Sequence, residues 1–335
     1  MSGDDLAGGY DLVVFDLDGV VFLIDKPIAG APEAVERLHE RNTAVAYATN
    51  NASRRAAEVA ELLTGMGVPA RPAEVLTSAG AAAAVLADKL PAGSPVLVVG
   101  ADALRAEVTE AGLTPVESLD DEPVAVVQGY GPEVGWRVLA EASLAVRAGA
   151  LWVVTNTDRT LPSPRGPLPG NGSLVAVLRT ALDRGPDLVV GKPEPALFTT
   201  AAALSHAERP LVVGDRLDTD IQGAVTAGVD SLLVLTGVSG PADLLSAEPG
   251  RRPTFVAADL SGLFRPAEDA ALPLRAGEAG GWRVSRDGGS ATLDGSGDPV
   301  VALRLLCAAT WDGVAPAAVS GASDAARELL SSWGL

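Results

Sequence analysis

Leu12-Val13-Val14-Phe15-Asp16-Leu17-Asp18-Gly19-Val20 decides the fold class of this 335-residue chain. Four apolar residues predict a short buried strand, and their unbroken hydrophobicity suits a parallel strand covered on both faces. Two carboxylates follow, two positions apart, at the kind of strand end where open α/β sheets bind ligands. A solvated turn would also tolerate acids there. A calcium loop would not fit, because it needs an oxygen ligand fifth and glycine sixth, whereas Gly19 is fourth and Val20 fifth. Phosphoryl transfer suits the pair: one carboxylate attacks phosphorus and the other handles the proton. Alternate side chains of an extended segment share a face, so Asp16 and Asp18 can meet one substrate. Their oxygens are also hard ligands for Mg²⁺.

Moving outward, the same punctuation recurs. Thr49-Asn50-Asn51 closes the run Val45–Thr49 and offers a hydroxyl and amides to phosphate oxygens. Asn51 and Ser53 also fit an ordinary helix cap. Gly191-Lys192-Pro193 closes Leu188–Val190, with Pro193 expected in the first turn of the next helix. It is not a P-loop, since Ser or Thr must follow that lysine. Lys26, Lys89 and Lys192 are the only lysines beside 22 arginines, so Lys192 at a strand end reads as a fixed cation facing a phosphate. Gly214-Asp215-Arg216-Leu217-Asp218-Thr219-Asp220 closes Leu211–Val213 and reads as a cation site. Asp215 is the expected ligand, and Asp220, one helical turn on, is expected to orient waters or Lys192 behind it. Asp218 fits a simpler role at a helix N-terminus.

Further apolar runs predict strands at Val96–Val99, Val124–Val127, Leu151–Val154 and Ser231–Leu235. Helical patterns separate the runs: Pro32–Arg41, Arg54–Met66, Ala79–Lys89, Ala103–Ala111, Pro132–Arg147, Ser173–Asp183, Pro195–Leu204 and Thr219–Ala227. Strand alternating with helix means an α/β fold with right-handed crossovers. Pro162–Gly172, with four prolines, predicts a stiff loop. Leu263–Glu278 drifts into Pro, Ala and Gly and reads as a boundary. Beyond it, Trp282–Arg286 and Ser290–Leu293 flank Asp287-Gly288-Gly289 as a hairpin, followed by helices at Val300–Trp311 and Ser323–Trp333. No internal repeat is present.

Composition narrows the field. A net charge of −18 repels DNA and RNA. Hydrophobic residues make up 47% of the chain, enough for a sizeable core, but aromatics only 4%, so that core must be Val, Leu and Ala. The single cysteine, Cys307, and two histidines argue against disulfides, cysteine metal cages and histidine-rich zinc sites. No apolar run approaches a membrane span. Acids at Asp4 and Asp5, where a leader needs basic residues, make a cytoplasmic location the expectation.

On these four motifs, in order between Leu12 and Phe264, the chain resembles the haloacid dehalogenase superfamily. It is most similar to the subclass of phosphoglycolate, glycerol-phosphate, nitrophenyl-phosphate and ribonucleotide phosphatases. The resemblance implies a Rossmann-like parallel-sheet core with an inserted α/β cap of the C2 type. It makes Asp16 the nucleophile that forms an aspartyl-phosphate, and Asp18 the acid that protonates the leaving alkoxide and then activates water. Thr49 and the backbone at Asn50 and Asn51 would hold phosphoryl oxygens, and Lys192 would neutralise charge. Mg²⁺ would be bound by Asp16, the carbonyl of Asp18, and Asp215. The 141 positions from Asn51 to Lys192 far exceed a crossover and leave room for the cap. The implied division is a core of residues 11–80 and 185–265, a cap at 81–184 and an α+β extension at 270–335. The segment from Asn156 to Pro162, with Pro169-Gly170-Asn171-Gly172, resembles the family's substrate-selecting loop, where Arg159 is a candidate for an anionic substrate. Leu161 stands where pyridoxal-phosphate phosphatases carry histidine, which argues against that substrate.

By resemblance, an Ala-, Gly- and Arg-rich composition with a C-terminal extension accompanies the glycerol-phosphate enzymes of the subclass, so glycerol 3-phosphate is the first-ranked substrate, with 2-phosphoglycolate and nucleotide monophosphates behind it. The expected partner is a small phosphorylated metabolite, acted on by a monomer or homodimer. A phosphomutase would share these residues, but its helical cap would have to fit in the short stretch before Thr49. A phosphometabolite-binding scaffold working through residues 270–335 is the rival of another class. Arg286-Asp287-Gly288-Gly289-Ser290-Ala291 fits the acetyltransferase pattern Arg-x-x-Gly-x-Ala. That loop should join a strand to a helix, and here it joins two predicted strands, so a plain hairpin is favoured over a truncated acetyltransferase-like module.

Overall fold

The computed structural model describes residues 5–24, 26–161 and 163–335; Asp4 and Pro162 lie outside the described residues. The chain forms two compact units: Met1–Leu23, Pro27–Val45 and Ser205–Leu335 in one, and Ile24–Lys26 with Ala46–Leu204 in the other. All eight predicted strands are present, with ends shifted by at most one residue.

In the first unit, Leu12–Phe15 pairs in parallel with Pro210–Gly214, Phe15 opposite Val213. Asp230–Val234 and then Phe255–Ala257 extend the parallel sheet. The start of the strand Ala44–Thr49 also belongs here, where the Ala44 N–H donates to the Asp11 carbonyl. Each strand is a run of buried aliphatic side chains, so each requires cover on both faces.

The predicted helix Thr219–Ala227 is a correction. Leu217–Ile221 is instead a wide turn in which Ile221 N–H donates to Arg216 O and Gln222 N–H to Leu217 O, and the α-helix covers only Gln222–Ala227. Leu217, Thr219, Asp220 and Ile221 are all buried, and a regular 3.6-residue turn does not bring that many consecutive residues inward.

Residues 270–335 share this unit's core. A four-stranded sheet runs Glu278–Ala279, Trp282–Asp287, Ser290–Gly295, Val319–Gly321, beside helices Pro299–Trp311 and Asp324–Ser332. The hairpin pairs Asp287 with Ser290, leaving the two-residue turn Gly288–Gly289. One apolar cluster joins Leu217, Ile221, Leu233, Leu244 and Val256 to Trp282, Leu293, Leu303, Leu306, Cys307 and Leu330. Cys307 is fully buried, and burial pushes its thiol pKa far up.

The second unit holds a five-stranded parallel sheet in the order Leu188–Val189, Leu151–Val154, Ala125–Gln128, Pro95–Val99, Thr114–Val116. Alternation along each strand sorts its two faces. Val96, Val98, Val127 and Val153 pack with Leu86 and Leu104 of helices Ser78–Lys89 and Asp102–Glu110. Leu97, Val99, Val126 and Trp152 pack with Ala142 and Leu178 of helices Trp136–Arg147 and Asn171–Leu182. The helix expected from Pro132 starts only after Gly135, since glycine disfavours a helix interior. The stiff loop expected at Pro162–Gly172 contains a strand, because Leu168–Pro169 pairs antiparallel with Thr160–Leu161, and the following helix begins at Asn171. Tyr47–Thr49 pairs here with Val75–Thr77, Thr49 opposite Thr77.

Candidate active site

The parallel register of Leu12–Phe15 and Pro210–Gly214 delivers Asp16 and Asp215 to the same sheet end. The Asp16 N–H continues the ladder by donating to Val213 O at 2.9 Å. The wide turn then folds Asp220 back. One carboxylate oxygen each of Asp16, Asp215 and Asp220 lies within 4.8 Å of the others, and all three residues are buried. Three carboxylates this close, taken out of water, repel one another strongly and call for a cation. An all-oxygen donor set of this charge fits a hard divalent ion such as Mg²⁺. Asp220, expected behind the ligands, has one carboxylate oxygen within this group. Arg216 N–H donates to Asp220 Oδ2 at 3.1 Å, which ties Asp220 to the turn.

Asp18 lies in the turn after Asp16, half-buried, bridged to Phe22. That turn is tight: the N–H groups of Val20, Val21 and Phe22 all donate to Leu17 O. Gly19 has a φ of +87°, and a Cβ there would fall 2.5 Å from Asp215 Oδ2. Asp218 points away into an ion pair with Arg216 at 3.0 Å. Burial raises its carboxyl pKa, but the guanidinium hydrogen bonds outweigh this and hold it below the usual range.

Sequence reasoning missed the loop that grips Asp215. Val238 N–H donates to Asp215 Oδ2 at 2.7 Å and Ser239 N–H to Asp215 O at 3.0 Å. Thr236 Oγ1 donates to Gly19 O at 2.6 Å. The available signal was the one already used four times, because Thr236-Gly237-Val238-Ser239 closely follows the aliphatic strand Asp230–Val234.

In the second unit, Thr49, Asn50 and Lys192 are buried. Lys192, 2% exposed, donates from Nζ to Ala48 O at 3.0 Å, while Lys26 and Lys89 are exposed. Asn50 is a junction: its Nδ2 donates to Lys192 O and to Asp158 Oδ2, both at 3.0 Å. Its carbonyl accepts from Ser78 Oγ and Asn156 Nδ2, both at 2.6 Å. Ser78 was not anticipated. The Thr49 hydroxyl accepts from Asn51 N–H at 3.1 Å. The Asn51 side chain is exposed, and its Oδ1 accepts from Ser53 N–H at 2.8 Å. Pro193 is a correction: it sits in a turn, and the helix starts at Ala196, with Pro195 O accepting from Phe198 and Thr199 N–H and so taking the role expected of Pro193. Arg159 is exposed, with its carbonyl tied to Gly170 N–H and Ser173 Oγ.

Strand-end acids on a parallel α/β sheet define a hydrolase class that the comparisons name. Residues 13–114 match the haloacid dehalogenase-like hydrolase model and 189–263 a second model of the same kind; the chain belongs to this family. In particular, it is 44% identical, over 98% of its length and 96% of the relative's, to D-glycerol 3-phosphate phosphatase of Mycobacterium tuberculosis. The crystal structure of a glycerol phosphate phosphatase from that organism, in complex with magnesium, superposes with a TM-score of 0.91 at 45% identity, covering 98% of this chain and 99% of that one. A 4-nitrophenylphosphatase from Thermotoga maritima aligns with a TM-score of 0.72 at 31% identity, covering 78% and 98%. Residues 279–335 match a GCN5-related N-acetyltransferase-like model.

Proposed function

We propose that the protein is a Mg²⁺-dependent phosphatase of small organic phosphate monoesters, with glycerol 3-phosphate as its substrate. The observation that carries this reading is the buried triad of Asp16, Asp215 and Asp220 at one sheet end. The relative acting on glycerol 3-phosphate, matched over nearly the whole chain, supports the substrate.

In this reading an Asp16 oxygen attacks phosphorus. The bond to the substrate alkoxide breaks, and Asp18 donates a proton to that leaving oxygen. Asp18, now a carboxylate, takes a proton from water as the water attacks the phosphorus of the aspartyl-phosphate. Asp16 and inorganic phosphate are released. Thr49 and the backbone N–H groups of Asn50 and Asn51 hold phosphoryl oxygens, and Lys192 supplies a fixed positive charge. Asp16, the carbonyl of Asp18, and Asp215 hold the Mg²⁺, with Asp220 beside them. A bound Mg²⁺ offsets the charge that would keep a carboxylate from a phosphate dianion.

Residues 11–80 and 185–265 form the catalytic core in this division, 81–184 the cap, and 270–335 the extension. The five-stranded sheet with its own apolar layers on both faces supports a separate cap. Arg159 on the cap is the candidate contact for the glycerol end of the substrate. The enzyme works on a small metabolite, as a monomer or homodimer, in the cytoplasm. No helix among the described residues is long and apolar enough to cross a membrane.

The test is phosphate release from a panel of glycerol 3-phosphate, 2-phosphoglycolate and nucleotide monophosphates, with Mg²⁺ or with chelator. Glycerol 3-phosphate should be turned over fastest. Chelator should abolish turnover, and Asp16→Asn should reduce it by at least a thousandfold. Turnover that survives Asp16→Asn would refute the mechanism.

A further inference from the structure

We propose that Trp311, in the extension beyond residue 270, is a positioning residue for the Asp215 carboxylate. This rests on the reading of Asp215 as a metal ligand, and it gives the extension a part in the reaction. The connection can be followed bond by bond. Asp215 is held by Val238 and Ser239 through two N–H donors, and the Ser239 hydroxyl in turn accepts from Leu217 N–H at 3.0 Å. Gly237 lies so close to Asp215 that a Cβ would stand 1.9 Å from Oδ2. A loop this closely fitted transmits any displacement of its far end to the carboxylate.

That far end is the helix Pro241–Leu245, five residues long and too short to hold itself. Its carbonyl end is closed by the N–H groups of Ser246 and Ala247, and that end and the residue just past it are also held from outside. Trp311 Nε1 donates to Leu244 O at 3.0 Å, and Arg252 Nε donates to Ala247 O at 3.0 Å. The Arg252 guanidinium also lies 4.8 Å from the Trp311 ring centroid. Leu244 and Leu245 are buried in the same cluster as Leu303 and Leu306, on the helix that carries Trp311. The indole therefore bonds the carbonyl end of a helix whose N-terminus directly follows the loop that grips Asp215.

The test uses the full chain and Mn²⁺ as the metal probe. Trp311→Phe keeps an aromatic ring and loses the N–H donor. Its Mn²⁺ dissociation constant, read by electron paramagnetic resonance titration, should rise about fivefold, the scale of one lost hydrogen bond. The melting temperature of the metal-free protein should move little. Trp311→His, which restores a ring N–H, should recover part of the affinity. Unchanged Mn²⁺ affinity in Trp311→Phe would overturn the proposal. If that variant does not fold, Arg252→Gln interrupts the same linkage, and unchanged affinity there overturns it equally. Wild-type protein that binds no Mn²⁺ would instead refute the metal-site reading itself.

Discussion

Lys192 shows how much one side chain can carry when its type is scarce. Burying a lysine costs several kcal/mol unless it is compensated, and this chain places its one buried lysine at a strand end, donating to Ala48 O. Arginine would keep the charge, but its planar fork is larger and points its donors differently. Lys192→Arg should therefore fold and lose at least tenfold in kcat, as steady-state phosphate release would show. Asp16, Asp18, Thr49, Lys192 and Asp215 stand out in the sequence because each lies at the end of a Val/Leu strand. The wide turn that brings Asp220 close to Asp16 and Asp215 does not, because its pattern reads as a regular helical turn. Asn50 was read as a backbone donor, and its side chain proved to be the junction to Lys192 and Asp158. Polar side chains that bond to distant backbone leave no periodic trace in sequence.

Elements were legible in proportion to their length and burial. The eight aliphatic runs bounded by turn signals are strands, whereas Val75–Thr77, Thr114–Val116, Phe255–Ala257 and Val319–Gly321, three residues each, were missed. Three residues are too few to establish a period, and pairing with neighbours decides such strands. The loop at Thr236–Ser239 is an element without regular structure, yet it grips a candidate metal ligand. Gly237→Ala should disturb it most directly, since the new methyl group would occupy the place of Asp215 Oδ2. We expect Mg²⁺ affinity to fall at least tenfold, measured by calorimetric titration, with the sheet intact by circular dichroism. Near-normal affinity would show that the loop can move aside without cost to the site.

At the scale of the molecule, the −18 charge works against a polyanion far more than against a single phosphate, which needs only local compensation. Many of the arginines make exposed ion pairs, such as Arg283 with Glu278, which contribute little to stability. The composition shifts after Leu263, where one family match ends at residue 263 and the next begins at 279, and packing nonetheless spans the stretch. Buried Arg304 donates to Ala271 O at 3.0 Å and to Glu268 O, across the apparent seam. Long-range packing of this kind joins residues far apart in sequence, and composition cannot register it.

Cys307 sits in the apolar cluster that also holds Leu217 and Ile221, the flanks of the acidic turn. A lone thiol so placed is a clock for the opening of that region. A disulfide reagent such as Ellman's can react only while the cluster is open, so the labelling rate counts openings in the native protein. If the extension and the acidic turn open together, Mg²⁺ must slow the clock, because it binds only the closed form. At a hundred times its dissociation constant the slowing should approach a hundredfold. If the extension opens alone, the rate will ignore Mg²⁺. The chain's single cysteine thus makes the cooperativity of the catalytic core and its extension measurable without any mutation.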